Sequence, residues 1–237
     1  MTFKATYLGS NGWIIEFKST KILIDPWIIG ELIFPLGGWF FKGTLGGKIP
    51  TPENIDLILI TQGLPDHCHI PSLQKFPKNI DIISSKSAYK ILDRLNFESI
   101  KILEPSEKFK YKDIEIEATA GAPVPKVENG YILESKEGSF YIEPHGFLDN
   151  KIKPRKLDAV ITPTKNLELP IVGSFVKGAE VIPELIKLFN PEYILSSTTG
   201  GKAKFSGLLN SFISLEEFKD SSNCKILNLE QMENVYI

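Results

Sequence analysis

The three histidines of this sequence fall into two short clusters, each with a carboxylate. The first reads Gln62-Gly-Leu-Pro-Asp66-His67-Cys68-His69, and the second Glu143-Pro-His145-Gly146. Imidazole nitrogen and carboxylate oxygen together suit a zinc, iron or manganese ion. If residues 67–69 are extended, His67 and His69 share one face. A carboxylate beside an imidazole also fixes its tautomer, which serves acid–base chemistry as well as ligation. The same spacings fit histidines that merely hydrogen-bond to backbone or to the neighbouring acid. Cys68, a lone thiol between two imidazoles, is read as buried and inert.

Both clusters directly follow strand-like runs, Leu57 to Thr61 and Ser139 to Ile142. Strand ends that flow into Gly/Pro loops commonly carry binding side chains in α/β folds. The opening residues predict an antiparallel meander of Phe3 to Leu8, Trp13 to Phe17 and Lys21 to Asp25, with polar turns between. Further on, strands are expected over 80–84, 100–103, 114–118, 130–134, 159–162, 193–196 and 225–229. Helices are expected over 70–76, 87–95, 178–188 and 208–218, with Pro183 tolerated only in a first turn. Two strand-rich stretches, each leading into alternating helices and strands, make one α/β domain over residues 1–237.

Between Trp27 and Phe41 ten of fifteen residues are large and apolar, while Gly30, Pro35, Gly37 and Gly38 interrupt regular structure. Such a segment either packs on its own domain or forms a wall of a ligand pocket or a contact for a second copy. Trp27, Phe34, Trp39 and Phe40, with Gln62, are therefore candidate substrate-binding residues.

The chain has 237 residues, 27 basic and 29 acidic, for a formal charge of −2. That balance provides no general drive toward nucleic acid. Two cysteines make no disulfide framework. No long apolar signal core and no run of 18 apolar residues is visible, so a cytoplasmic protein without a transmembrane segment is expected.

Leu8-Gly-Ser-Asn-Gly-Trp-Ile-Ile-Glu16, then Lys21-Ile-Leu-Ile-Asp25-Pro-Trp27, then the strand ending at Thr61 and running on to Asp66-His67, resembles the metallo-β-lactamase superfamily, in particular its compact, sugar-lactonase-like metal-dependent hydrolases. The resemblance implies a four-layer αβ/βα sandwich with metals at one edge. It also implies a His-x-His-x-Asp-His loop, whose two leading histidines fall here on Gln62 and Leu64 and whose last two positions are Asp66 and His67. The next ligand histidine belongs near residues 118–123, which read Ala-Thr-Ala-Gly-Ala-Pro, and the terminal one near residues 196–200, which read Ser-Ser-Thr-Thr-Gly. The bridging aspartate falls near Glu143-Pro-His145. A two-metal centre is therefore not expected.

Two functions follow. One is a hydrolase with a rebuilt site that uses one divalent metal (zinc, iron or manganese) or none, on an ester, lactone or phosphodiester. Its candidate ligands are Asp66, His67, His69, Glu143 and His145. Its candidate catalytic groups are Asp66 or Glu143 as base and a histidine, such as His67, as acid. The other is a ligand-binding or scaffold protein that kept the fold without the chemistry.

Overall fold

A computed structural model describes residues 3–123, 127–169, 173–198, 201–218 and 224–237. Two seven-stranded sheets face each other. The first has the order Asn234–Tyr236, Lys4–Gly9, Gly12–Glu16, Lys21–Ile24, Leu57–Ile60, Asp81–Ser84, Ser99–Ile102. Its meander half is antiparallel. From Lys21–Ile24 onward the neighbours are parallel, with Ile24 opposite Leu59. The second has the order Lys225–Leu227, Tyr193–Ser197, Ala159–Pro163, Gly138–Ile142, Asn129–Ser135, Ile114–Ala120, Lys108–Tyr111. Here the first four strands are parallel and the rest antiparallel.

Alternation in the strands explains the layering. Tyr7, Trp13, Ile15, Ile22, Ile24, Leu57 and Leu59 of the first sheet meet Ile114, Ile116, Tyr131, Leu133, Phe140 and Ile161 of the second in one buried core. The opposite face of the first sheet, with Leu23, Ile58 and Ile60, is covered by the helices Ile70–Leu73 and Lys86–Arg94 through Leu73, Ala88 and Leu92. The opposite face of the second, with Ile132, Tyr141, Val160 and Ile194, is covered by the helix Gly178–Phe189 through Val181, Ile182, Leu185 and Phe189. Helix, sheet, sheet and helix form the expected four layers. Among the described residues no helix is long and apolar enough to cross a membrane.

Three expectations about local structure need correction. Pro183 lies inside its helix, beyond the first turn; burial of the surrounding apolar stripe outweighs the one lost backbone bond. Residues 208–218 form not a helix but a 3₁₀ turn, Leu209–Phe212, and a strand, Ser214–Glu217. None of Leu209–Phe212 is buried, so no core rewards a longer helix, whereas the strand finds a partner in Lys165–Leu169. The apolar segment after Trp27 is not wholly irregular. Glu31–Ile33 pairs with Lys42–Thr44, and Lys204–Ser206 completes a small third sheet.

Candidate functional site

Four parallel strands end at the same edge of the sandwich, and each delivers a polar side chain there. Lys21–Ile24 ends in Asp25, Leu57–Ile60 in Thr61 and the loop to His67, Gly138–Ile142 in Glu143, and Tyr193–Ser197 in Thr198. The first hairpin adds Asn11, and the entry to Asn129–Ser135 adds Glu128. Carboxyl ends of parallel strands gather side chains this way because the chain must leave the sheet in a loop there.

His67 is fully buried. Its Nδ1 lies 2.8 Å from Asp25 Oδ2 and 2.9 Å from Thr61 Oγ1. Asp25 follows its strand at φ 42°, a conformation aspartate tolerates better than most residues. Its carboxylate also accepts the Thr61 N–H at 2.9 Å and the Thr61 hydroxyl. On the other side of the ring, Nε2 lies 3.2 Å from Asn11 Nδ2 and 3.4 Å from Asp66 Oδ2. Burial pulls the His67 imidazole down, but the charges and hydrogen bonds of Asp66 and Asp25 outweigh it and hold the group well above its ordinary range. Burial likewise pushes Asp66 up, and the charge and hydrogen bond of His67 overcome it, so Asp66 titrates low.

The second cluster stands against the first. The rings of His67 and His145 are stacked with centroids 5.2 Å apart. His145 Nδ1 lies 2.7 Å from Glu128 Oε1, and Ala122 N–H donates to Glu128 Oε2 at 3.2 Å. Glu143 accepts the backbone N–H groups of His145 at 3.1 Å, of Phe147 at 2.9 Å and of Gly146. That brace requires a tight turn at Gly146, where φ is +77° and a Cβ would stand 2.6 Å from the Lys177 carbonyl carbon. Burial and then repulsion from Glu128 push Glu143 well above the carboxylate range; burial pushes Glu128 up to about 7 against the opposing pull of its hydrogen bond to Glu143. Burial and then the charge of His67 depress His145 to about 4. The two glutamates are thus biased toward the protonated form and His145 toward the neutral one.

A scan against family models matches residues 4–197 to the β-lactamase superfamily domain. The chain belongs to this superfamily. Its fold is also shared with solved structures. A possible metal-dependent hydrolase from Veillonella parvula DSM 2008 superposes with TM-score 0.70 at 14% identity over 100% of both chains. Igni18, a metallo hydrolase from the hyperthermophilic archaeon Ignicoccus hospitalis KIN4/I, gives 0.66 at 19% identity over 99% of this chain and 98% of that one. CmlA, a diiron β-hydroxylase from Streptomyces venezuelae, gives 0.58 at 15% identity over 84% of this chain, which spans only 45% of CmlA. No curated protein matches the sequence.

The superfamily is metal-dependent and hydrolase-like, so the donor set can be tested for fit. A two-ion centre does not fit: Leu64 offers no donor, Gln62 offers a neutral amide, and residues 118–123 contain no imidazole. One ion does fit. Donor atoms of His67, Glu128 and His145 lie within 4.8 Å of one another. Asp66 Oδ1 is buried without a hydrogen-bond partner among the described residues. His67 Nδ1, held by Asp25, leaves Nε2 for a ligand, which is the usual orientation of a metal-binding imidazole.

Not every expected residue joins this group. His69 is turned away: its Nδ1 bonds Ser72 Oγ at 2.8 Å, its Nε2 the Glu31 carbonyl at 3.3 Å, and its ring meets Trp27 edge-on. Residue 69 opens the helix Ile70–Leu73 rather than continuing an extended strand, so the shared face with His67 does not form. Glu143 braces the loop rather than offering free oxygens. Trp27 is fully buried beside Gly43 and the ring of Phe205, and Gln62 is fully buried as well. Trp39 is 69% exposed and packs edge-on against Phe40. Phe34 lines an open groove of about 480 Å³ with Ile33, Leu64, Pro65 and His69. Residues 199 and 200, where the resemblance expects a terminal ligand, lie outside the described residues.

Asp25, Asn11, Thr61, Glu128 and Thr198 were not singled out from the sequence as site residues. Only Asp25 had a signal, the Ile-Leu-Ile-Asp-Pro strand end. Glu128 has no spacing to any other donor that local sequence could reveal.

Proposed function

We propose that this chain is a hydrolase of the metallo-β-lactamase fold that acts on a small ester, lactone or phosphodiester with one divalent ion held by His67, Glu128 and His145. The observation that carries this reading is the charge imbalance of the buried group. Asp25, Asp66, Glu128 and Glu143 converge on two imidazoles, and among the described residues no lysine or arginine bonds to any of them. A buried excess of carboxylates must take up protons or a cation. The raised titration of Glu128 and Glu143 reflects the proton solution, and a divalent ion is the alternative. Imidazole and carboxylate donors suit zinc, iron or manganese.

When bound, such an ion supplies Lewis-acid polarisation of a substrate oxygen and of water. The remaining work falls to the chain. Asp66, held ionised by His67 and with one oxygen unpartnered, is the base that receives the proton of the attacking water. Asp25 and Thr61 fix the ring of His67. Glu143 fixes the loop that carries His145. The groove beside Leu64 and Phe34 receives the apolar part of the substrate. Without an ion, Asp66 and a protonated His67 remain as an acid–base pair.

Elemental analysis of protein purified without an affinity tag tests this. One ion per chain is expected, with loss of most of it in Glu128→Gln and in His145→Ala. Hydrolysis of generic ester, lactone or phosphodiester probes is expected to fall at least tenfold in Asp66→Asn. Two ions per chain would overturn the one-ion site. No ion and no hydrolysis would favour the second reading, a binding or scaffold protein. That reading draws support from Asn11, whose amide already occupies both Asp66 and His67.

A further inference from the structure

We infer that Asn11 is an internal stand-in for a cation between Asp66 and His67, and so sets how tightly the site takes a divalent ion. The inference rests on the one-ion reading above and names what regulates that site. Asn11 sits in the turn of the first hairpin and is 1% exposed. Its Nδ2 lies 3.1 Å from Asp66 Oδ2 and 3.2 Å from His67 Nε2. An amide NH₂ has two protons: one meets Asp66 Oδ2, and the other faces Nε2, which can accept it only when His67 is neutral, the state a metal ligand must have. Its orientation is set by Asp66, whose carboxylate faces the amide at 3.1 Å and can only accept, which turns Oδ1 toward the Thr198 hydroxyl 2.9 Å away. A flipped amide would set that oxygen against the Asp66 carboxylate.

Asp66 and His67 are the two donors of the signature loop that this sequence retains. With His67 Nδ1 committed to Asp25, Nε2 is the only ring nitrogen left to ligate once the ring is neutral, and the Asn11 amide stands 3.2 Å in front of it. The amide thus places partial positive charge where an ion would place a full one. An incoming ion must displace it. Thr198 resists that displacement, its single hydroxyl proton being shared between Asn11 Oδ1 and the Pro144 carbonyl, 2.7 Å away in the loop of the second cluster. Asn11 therefore acts as a positioning residue that competes with the ion.

The test is zinc titration of metal-free protein against a chromophoric chelator, with thermal melts at matched zinc as a second readout. Asn11→Ala is expected to bind zinc at least tenfold more tightly than the parent and to gain more thermal stability from it. Thr198→Val, which only loosens the amide, is expected to shift affinity in the same direction by less. Asn11→Ser serves if Asn11→Ala does not fold. Unchanged or weaker zinc binding in the Asn11 variants overturns the inference; if the parent still holds one ion, the one-ion reading stands. A parent that holds no zinc beside an Asn11 variant that gains one ion supports the inference and overturns the resident ion. Failure of parent and variants alike to bind zinc overturns both.

Discussion

The two ends of the paired sheets treat acidic side chains in opposite ways. At one end, Asp56 precedes the strand Leu57–Ile60 and bonds Lys112 Nζ at 2.7 Å and the Lys21 N–H at 2.8 Å. Burial pushes Asp56 up, but Lys112 and Lys21 outweigh it and its carboxyl titrates low. At the other end, Asp25, Glu128 and Glu143 are fully or almost fully buried, and all three titrate above their ordinary values because burial dominates. The same strands therefore carry a solvated, charge-matched rim and a dry, acid-rich one. Nothing about stability requires the second arrangement. Desolvated acids without a lysine or arginine partner are costly, and their concentration at one edge is what the proposed site rests on.

The sharpest way to break this comparison is Asp25→Ala. It strands His67 Nδ1, the Thr61 N–H and the Thr61 hydroxyl in the interior. A loss of about 3–5 kcal/mol is expected in urea unfolding. A loss below about 1 kcal/mol would mean that the buried edge is as forgiving as the solvated one.

Next in size is Glu128→Gln in metal-free protein at pH 8, expected to stabilise by about 1–2 kcal/mol. It removes one of two buried acids that repel each other, and gains of that size are common where a functional group is relieved. Destabilisation instead would show Glu128 to be structural.

A third test belongs to the solvated end. The Tyr111 hydroxyl donates to the Asp56 carbonyl at 2.8 Å and lies 3.2 Å from Asp81. Burial and then Asp81 push it up to about 12 from 10.0. A raised folded pKa means stability that is complete below pH 10 and lost as pH rises toward 12. After solvent screening, about 1 kcal/mol should vanish over that window, and Tyr111→Phe should abolish this part of the decline. The smallest effect is expected from Lys112→Ala. Its exposed pair with Asp56 should contribute no more than about 0.5–1 kcal/mol, readable as a small shift in the melting midpoint.

Much of this molecule was legible from residues alone. Alternation in Phe3 to Tyr7 and the short apolar runs at 13–15, 22–24, 57–60 and 159–161, bounded by turn residues, announce strands. Likewise Leu64, with no donor atom, excludes a ligand whatever the fold. Shorter strands have no such signal. Lys42–Thr44 and Lys204–Ser206 carry too few apolar residues to announce themselves and exist because each finds the other across 160 residues.

The sequence by itself determined which chemistry was on hand: three histidines in two clusters, each cluster with an acid and in the loop after a strand. Only the tertiary structure decided the partners. It turned His69 toward Ser72, spent Glu143 on backbone N–H groups, and brought Asn11, Asp25, Glu128 and Thr198 to His67 and His145. The reason is physical. A strand's periodicity is local and depends on neighbouring residues, whereas a side chain at a strand end meets whatever the order of strands in the sheets places beside it, and that order is set by the packing of the whole core.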